Sequence, residues 1–298
     1  MDGPDRHRRL RRRDRRLGVR VLPRVLRTLS TSTLRIRAGV ASDVGAFRDV
    51  NQDAAFTSQL AAAVADGVGG GPSGDLASAA LIHRLIASSL SVRDAEDLIV
   101  RLRMANWDLG AFIRRDPDLA GMASTLTGIW LVEDAGLLLA HTGDSRAYLL
   151  RDGELTRETR DDSFVQALVD RGLITSDAAW SHPRRNIITA SLSGADGDVV
   201  RVESRAAALG DRWLLCSDGL TDYVPEAEIL SILSSAEDVT KAARQLVDVA
   251  LEASSRDNIT AIVCDVESGA PYETAVPVLA GAAAHRYPEV LEAGLATA

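Results

Sequence analysis

The sequence predicts an α+β fold in which two antiparallel β-sheets pack face to face and helices cover both outer faces. Strand-like segments follow one another in runs and amphipathic helices come in pairs, which is typical of this layered arrangement. A doubly wound parallel sheet would require strict alternation of strands and helices, and residues 124–155 do not show it. The chain has 298 residues, 46% of them hydrophobic, so it can bury a substantial core.

The first part of the predicted fold is a strand, a hairpin and two helices. Residues 34–42 alternate between apolar and polar positions, as in a half-buried strand. Residues 54–67 are typical of a β-hairpin whose second strand ends at Asp66. Residues 73–90 and 94–115 have the apolar spacing of amphipathic helices.

The second part contains most of the strands. Residues 124–155 hold three consecutive strand patterns separated by glycine-marked turns, which predicts an antiparallel meander. Residues 268–298 have no clear periodicity and are predicted to form an irregular C-terminal tail. Between these two regions the patterns predict a helix, two strands, two helices and a last strand, in that order, at about 164–172, 198–207, 211–219, 225–234, 238–254 and 258–266.

The net charge of −8 is unevenly distributed along the chain. Residues 1–37 carry 13 Arg and three acidic residues, a balance of +10, which leaves −18 for the remainder. A like-charge block such as residues 5–16 cannot fold alone, so we expect residues 1–33 to form a basic, disordered arm and residues 34–267 to form the folded domain. Weak docking to a membrane surface or an acidic partner, contact with nucleic acid and an organelle presequence are the open alternatives for the arm. Of these alternatives, nucleic acid is not the expected partner, because no aromatic residue that could stack on bases precedes Phe47.

Several classes of protein are disfavoured by what the sequence lacks. No apolar run approaches the ~20 residues that span a bilayer, so an integral membrane protein is not expected. Two cysteines, Cys216 and Cys264, are too few for a disulfide scaffold. Both lie in apolar runs, so we expect buried, reduced thiols and a cytoplasmic protein. The glycine-rich run at 67–71 lacks the Lys-Ser/Thr pair of a phosphate-binding P-loop.

Acidic residues stand where the predicted strands begin or end. Asp66 and Asp218 each end an apolar strand and precede a glycine, Asp257 precedes the last strand, and Asp53 closes the run RDVNQD (48–53). One such residue alone is more typical of a turn or a helix cap. Four carboxylates held together repel one another and require a cation, and all-oxygen ligands select Mg²⁺ or Mn²⁺. The set therefore predicts a metal site.

Six motifs extend this interpretation to most of the chain. Together they resemble the motif series of the metal-dependent serine/threonine protein phosphatases of type 2C (the PPM family), in the bacterial form. The resemblance covers about 34–267 and implies a layered α-β-β-α sandwich with a binuclear metal centre at one end. In chain order the motifs are RDVNQD (48–53), VADGVGGGPSGDLAS (64–78), GMASTL (121–126), HTGDSRAYLLRDGEL (141–155), LLCSDGLTD (214–222) and SRDNITAIV (255–263).

The resemblance implies a role for each principal acidic residue. Asp66 would bridge two Mg²⁺ or Mn²⁺ ions, and the carbonyl of Gly67 would bind the second ion. Asp218 and Asp257 would complete the protein ligands of the first ion. Asp53 would hold a metal-bound water.

The resemblance also implies the chemistry. Arg48 would bind the phosphoryl group at the mouth of the site, and the catalytic set would be Arg48, Asp53 and Asp66. Two ions lower the pKa of a bridging water, and the resulting hydroxide attacks phosphorus in line without a phosphoenzyme. The GDSR element at 143–146 is expected to stabilise a turn rather than to react.

Two departures from the family pattern concern the metal ions. Gln52 stands where many members have a Glu that contacts the second ion through water, so one charge is lost. Many bacterial members bind a third ion through the residue equivalent to Asp222 and a second aspartate, at whose position this chain has Ala120. Asp118, two residues earlier, is the candidate substitute, so a third ion stays open.

The predicted function is metal-dependent hydrolysis of phosphoserine and phosphothreonine on proteins, opposing a bacterial serine/threonine kinase. The expected partners are phosphoproteins, either such a kinase or its substrates. The alternative is a catalytically weak, phosphoprotein-binding regulatory module with the same fold. Gln52 and Ala120 favour the alternative, whereas the presence of all four principal acids favours the enzyme.

Overall fold

The computed structural model describes residues 34–68, 73–87, 90–132, 136–269 and 276–286. The arm predicted at residues 1–33 lies outside the described residues. The strands are β1 (Leu34–Asp43), β2 (Asp53–Thr57), β3 (Ala61–Val68), β4 (Ala123–Ser124), β5 (Leu126–Val132), β6 (Gly136–Thr142), β7 (Arg146–Arg151), β8 (Glu154–Arg157), β9 (Arg201–Ala206), β10 (Arg212–Cys216), β11 (Ile259–Ser268) and β12 (Val278–Gly281). The helices are α1 (Gly74–Ile86), α2 (Ala95–Arg115), α3 (Phe164–Asp170), α4 (Ser176–Trp180), α5 (Asp218–Thr221), α6 (Glu226–Ser235), α7 (Val239–Glu252) and α8 (Ala282–His285).

Two antiparallel sheets form the centre of the fold. One has the strand order β1-β11-β10-β7-β8, and the other has the order β12-β2-β3-β5-β6-β9, with β4 also paired to β3. Helices α1, α2 and α8 pack on the second sheet, and α6 and α7 pack on the first. The predicted α+β sandwich with helices on both faces is confirmed.

Alternation along the strands builds the layers. In β3, Ala62 and Val64 point into the core between the two sheets, where they meet Ile129, Trp213 and Ile262. The intervening residues of β3 point to the opposite face and pack against the helices. Because both faces of this strand are buried, its sequence is a continuous apolar run rather than an apolar–polar alternation.

The predicted meander at 124–155 is wrong. Strands β5 and β6 pair with each other as expected, but β7 pairs with β8 and β10 in the other sheet. The chain changes sheets after Thr142, where buried Ser145 holds the turn through a 2.8 Å hydrogen bond between its hydroxyl and that of Thr125. Strand β9 takes the place beside β6 that a meander would have given to β7. Apolar alternation indicates a strand, but it does not indicate which sheet the strand joins.

The prediction of an irregular tail from residue 268 is also wrong for part of its length. Strand β12 pairs antiparallel with β2, with Leu279 opposite Phe56 and Gly281 opposite Ala54. Helix α8 follows directly and buries Ala282 and Ala283 against α1. A four-residue strand is too short to show a period, so only its pairing reveals it.

Two further observations concern composition. Cys216 and Cys264 are buried and unpaired, as expected from their apolar surroundings. None of the helices within the described ranges has the length and the hydrophobicity that crossing a bilayer would require.

Candidate active site

Strand ends from both sheets bring the predicted acidic residues to one end of the sandwich. Asp53 opens β2 and lies directly opposite Asp66 in the antiparallel register of β2 and β3. In the other sheet, β10 ends at Cys216, and Asp218 follows as the first residue of α5. Asp257 lies two residues before β11, which pairs with β10. The fold therefore gathers four acids that are up to 204 positions apart.

The cluster is partly buried and incompletely hydrogen-bonded. Asp53 is fully buried, whereas Asp66, Asp218 and Asp257 are half-buried. Oδ2 of Asp53 accepts a 2.7 Å hydrogen bond from the hydroxyl of Ser217. The Oδ1 atoms of Asp53 and Asp218 are buried and have no hydrogen-bond partner. Buried carboxylate oxygens seldom stay without a partner, so these two atoms fit the oxygen donors of a cation site.

The pKa values of the clustered acidic residues also indicate a cation site. Burial raises the pKa of Asp53 to about 6, and the negative charge of Asp257 contributes to the increase. Burial also raises the pKa of Asp66 and of Asp218 well above the usual range. The charge of Asp53 raises the pKa of Asp66 further, and the charge of Asp66 raises that of Asp218. A group of acids with raised pKa values at one point is a site for a cation, because a cation relieves both the repulsion and the desolvation.

The donor set fits a hard divalent ion. It consists of carboxylates and, at Gly67, a backbone carbonyl, which are the oxygen ligands that Mg²⁺ and Mn²⁺ take. Within the described residues, no three His, Cys, Asp or Glu side chains already surround one point as they would around a bound ion. One reason is that Asp257 is engaged with Arg48 instead. The fit therefore rests on the unpartnered oxygens and the electrostatics.

Arg48 lies at the exposed edge of this cluster. Its Nη2 is 2.7 Å from Oδ2 of Asp257, and its Nε donates to the carbonyl of Arg256 at 3.2 Å. The side chain of Arg48 is 45% exposed, so its guanidinium is accessible from solvent while it touches the acids. This position is compatible with the phosphate-binding role predicted for it.

Three further residues were predicted to contact metal ions, Gln52, Asp222 and Asp118, and the structure places them in different surroundings. The backbone of Gln52 lies beside the cluster, where its N–H donates to Oδ1 of Asn258 at 2.8 Å. Asp222 is paired with Arg185, whose Nε is 2.8 Å from Oδ2 of Asp222. Asp118 is exposed in the short 3₁₀ helix Pro117–Leu119, where its amide donates to Asp116. A metal contact for Asp118 stays a prediction.

The GDSR element is structural, as expected, in two of its residues. Arg146 donates from Nε and Nη2 to the carboxylate of Asp161, and Ser145 holds the turn between the sheets. Asp144 is buried, and burial raises its pKa to about 7, with the charges of Asp161 and Asp222 as further causes.

The sequence interpretation also missed Asn258. Its side-chain amide donates to the carbonyls of Val44 and Val50 at 2.9 and 3.0 Å, and its Oδ1 accepts from the amide of Gln52. Asn258 thereby ties the loop that carries Arg48 to the start of β11. The Asp-Asn pair ahead of a strand was the available signal, but it does not indicate which loop the amide would bind.

A cavity of about 490 Å³ opens beside the cluster. Its lining includes Asp144, Asp218 and Asp222, together with Trp180 of α4 and Arg185, which pairs with Asp222. Of the four clustered acids, Asp218 lines this cavity, so a ligand larger than water can reach that part of the cluster.

Comparison with known proteins now identifies the domain. Residues 48–261 match the family model described as "Protein phosphatase 2C". The chain belongs to the protein phosphatase 2C family. The resemblance drawn from the six motifs is therefore confirmed, and the chain carries a serine/threonine protein phosphatase domain.

Relatives and solved structures agree with this assignment. The serine/threonine protein phosphatase PstP of Mycobacterium tuberculosis is 42% identical over 257 residues, which is 84% of this chain and 48% of PstP. The chain thus spans about half the length of that relative. The serine/threonine phosphatase stp of Listeria monocytogenes is 34% identical over 211 residues, 68% of this chain and 82% of stp.

Among solved structures, a crystal structure of M. tuberculosis PstP has a TM-score of 0.73 and 41% identity over 78% of this chain and 99% of that one. The PstP catalytic domain in complex with two manganese ions has a TM-score of 0.73 and 39% identity, covering 79% of this chain and all of that one. The fold and the family are thereby shown.

Proposed function

We propose that this protein hydrolyses phosphoserine and phosphothreonine on proteins with two divalent ions, Mn²⁺ or Mg²⁺, held by the acidic cluster. The observation that carries the proposal is the gathering of fully buried Asp53 with half-buried Asp66 and Asp218, where two buried carboxylate oxygens lack any partner. The manganese complex of the PstP catalytic domain supports the choice of metal. Magnesium is proposed as the alternative because it takes the same oxygen ligands.

The acidic residues and the Gly67 carbonyl would form the ligand sets of two ions. Asp66, Asp218 and Asp257 would hold the first ion, and Asp66 with the Gly67 carbonyl would hold the second. Ions bound there would supply a water-derived nucleophile at neutral pH and polarise the phosphoryl group. Asp53, oriented by the hydroxyl of Ser217, would fix a water beside the ions.

Arg48 would bind the phosphoryl oxygens of the substrate. Its guanidinium can donate two parallel hydrogen bonds to such oxygens. In the structure the same group donates to Asp257, so an ion that engages the Asp257 carboxylate would leave the donors of Arg48 to the substrate. Gln52 would contact the second ion through water. Asp222 and Asp118 would hold a third ion, for which Asp222 would have to leave its pairing with Arg185.

The proposal extends to partners and location. We infer that the substrates are phosphoproteins made by a bacterial serine/threonine kinase, or that kinase itself, because the relatives are named serine/threonine phosphatases. Two buried, unpaired cysteines favour a reducing compartment, for which we propose the cytoplasm. Weak contact of residues 1–33 with a membrane surface or an acidic partner stays part of the proposal, and nucleic acid does not.

The deciding experiment measures phosphate release from an aryl phosphate and from a phosphothreonine peptide, with Mn²⁺ and with EDTA. We expect turnover only with the metal. Asp66→Asn and Asp218→Asn should each abolish it, because each removes a ligand charge, whereas the exposed Asp196→Asn should not. Near wild-type turnover by either ligand variant at saturating Mn²⁺ would overturn the metal assignment. Peptide binding without turnover in the unmodified protein would instead indicate the regulatory module.

A further inference from the structure

The strand and helix at residues 278–286, here called the C-terminal clamp, lie outside the region matched by the family model, which ends at residue 261. The clamp adds β12 to the edge of the larger sheet beside β2, the strand that Asp53 opens. The clamp makes two contacts with elements that hold residues of the acidic cluster, namely β2 and α1.

The first contact is with the backbone of Asp53. Gly281 ends β12 with φ +62, and a Cβ atom at this position would lie 2.1 Å from the carbonyl oxygen of Asp53. Only glycine allows both this conformation and this approach. The clamp is thus packed directly against the main chain of a predicted catalytic residue.

The second contact is with α1. Nε of Arg286 donates to Oδ2 of Asp75 at 2.9 Å, and its Nη2 donates to the same oxygen. The Asp75 side chain is only 5% exposed. About two turns further along α1, Nε2 of buried His83 lies 3.0 Å from the carbonyl oxygen of Ala283 and 2.7 Å from that of Arg286. The clamp therefore holds α1 by an ion pair and by a buried histidine.

The start of α1 in turn supports one side of the metal site. A Cβ on Gly74 would lie 2.7 Å from the carbonyl oxygen of Gly67 and 2.9 Å from the side-chain amide of Gln52. The hydroxyl of Ser78 also donates to the carbonyl of Gln52 at 2.5 Å. Gly67 and Gln52 are the residues assigned to the second ion, whereas Asp218 and Asp257 stand on the other sheet.

We propose that Arg286 is a positioning residue for the second metal ion. By fixing Asp75 it sets the position of the first turn of α1 against Gly67 and Gln52. The inference rests on the proposed function, since it assumes the assignment of these two residues to a metal. The first ion does not depend on this support. Asp218 and Asp257 adjoin strands of the other sheet, and the backbone of the shared ligand Asp66 is held by Thr125, whose hydroxyl accepts from the Asp66 amide at 3.0 Å.

The test is calorimetric titration of the metal-free full chain with Mn²⁺, which resolves two binding events without relying on turnover. Arg286→Ala should weaken the second event about 10-fold, the size typical of losing a partner that orients a metal ligand, and leave the first unchanged. Arg286→Lys, which keeps the charge, should recover part of the loss. Arg84→Ala is the matched control, because Arg84 is also on α1 but pairs with Asp108 of α2 at 3.1 Å rather than with the clamp.

Stability and activity complete the test. The melting temperature in EDTA shows whether each variant is folded, and the Mn²⁺ concentration for half-maximal aryl phosphate hydrolysis should rise only in the Arg286 variants. Equal weakening of both binding events together with a lowered melting temperature would show a merely structural ion pair and overturn the proposal. Unchanged titration of Arg286→Ala would also overturn it. Failure of the unmodified protein to hydrolyse phosphate with Mn²⁺ would refute the proposed function instead.

Discussion

At the scale of single residues, burial and charge conflict at Asp53. Its carboxylate is fully buried, yet only one of its oxygens has a hydrogen-bond partner, Ser217. A structural residue in this position would have been replaced by an uncharged one at a gain in stability. A conflict of this kind is characteristic of a site whose stability is given up for chemistry.

Arg48 provides the first prediction at this scale. Arg48→Ala should lower kcat/KM for an aryl phosphate about 10- to 150-fold, the effect of losing about 1.5–3 kcal/mol of charge-assisted hydrogen bonding to the substrate. Its affinity for Mn²⁺ should stay the same or increase, because Arg48 shares Asp257 with the proposed ion. The exposed neighbour Arg256→Ala is the control. A loss of Mn²⁺ affinity as large as the loss of kcat/KM would contradict substrate binding by Arg48.

His141 provides a pH-dependent prediction. The side chain is buried between the hydroxyl of Thr127 and the carbonyl of Arg160, and burial lowers its pKa below 6.5, with the charge of Arg201 as the next cause. The folded state therefore binds fewer protons than the unfolded chain just below pH 6.5. The stability contributed by neutral His141 is complete above that pH and is lost as the pH falls through the lowered pKa.

The corresponding measurement is urea unfolding at several pH values between 5 and 7. In His141→Gln the free energy of unfolding should fall less steeply on acidification than in the unmodified protein, by at most about 1.4 kcal/mol per pH unit for one titrating group. The acidic cluster titrates in both proteins, so its opposite effect cancels in the difference. Parallel pH profiles would show that His141 is not held neutral by the fold.

At the scale of elements, the least predictable strands are those whose partners in the sheet are distant in the sequence. Strand β12 has four residues, and its partner β2 lies more than 200 positions earlier. Strand β7 has a clear strand pattern, yet it leaves the sheet of the preceding strand. The longer helices α1, α2, α6 and α7 were predictable because each presents a buried face with the helical period.

The elements β12 and α8 carry a stability prediction. A chain that ends at residue 275 should unfold at a lower urea concentration, with a loss of about 2–3 kcal/mol, because it leaves buried Asp75 without its cation and opens the edge of β2. Arg286→Ala should lose less, since it keeps the strand and the contacts of His83. Equal midpoints for the shortened and the full chain would show that this region adds nothing to the stability of the domain.

At the scale of the whole molecule, charge separates the chain into two regions. Residues 1–37 carry a balance of +10 and the rest carries −18. The six motifs and the acidic cluster all lie in the second region. This distribution predicts that the basic region is separate from the chemistry.

A chain that starts at Ser32 should therefore keep the melting temperature and the kcat/KM for an aryl phosphate. Binding to vesicles that contain anionic lipid, if the arm mediates it, should disappear in the shortened chain and weaken with salt in the full chain, since exposed charges are screened within about 8–10 Å. A tenfold loss of kcat/KM on shortening would show that residues before 32 help to build the domain, and the predicted boundary would be wrong.

The sequence alone determined the fold class, the family and the identity of the acidic residues. These depend on local information: the period of the apolar residues, and short motifs in a fixed order such as those around Asp66 and Asp218. The sequence does not show how far Asp66 and Asp218 are desolvated, and it therefore does not show their raised pKa values. Desolvation depends on what covers a residue in three dimensions.

Only the tertiary structure decided the long-range partners. The ion pair of Asp75 and Arg286 joins residues 211 positions apart, and the contact of Arg48 with Asp257 joins residues 209 apart. A local pattern reports which face of an element is buried, and it does not report which element covers that face. The pairings that support the acidic cluster arise only when both sheets and the C-terminal strand pack together.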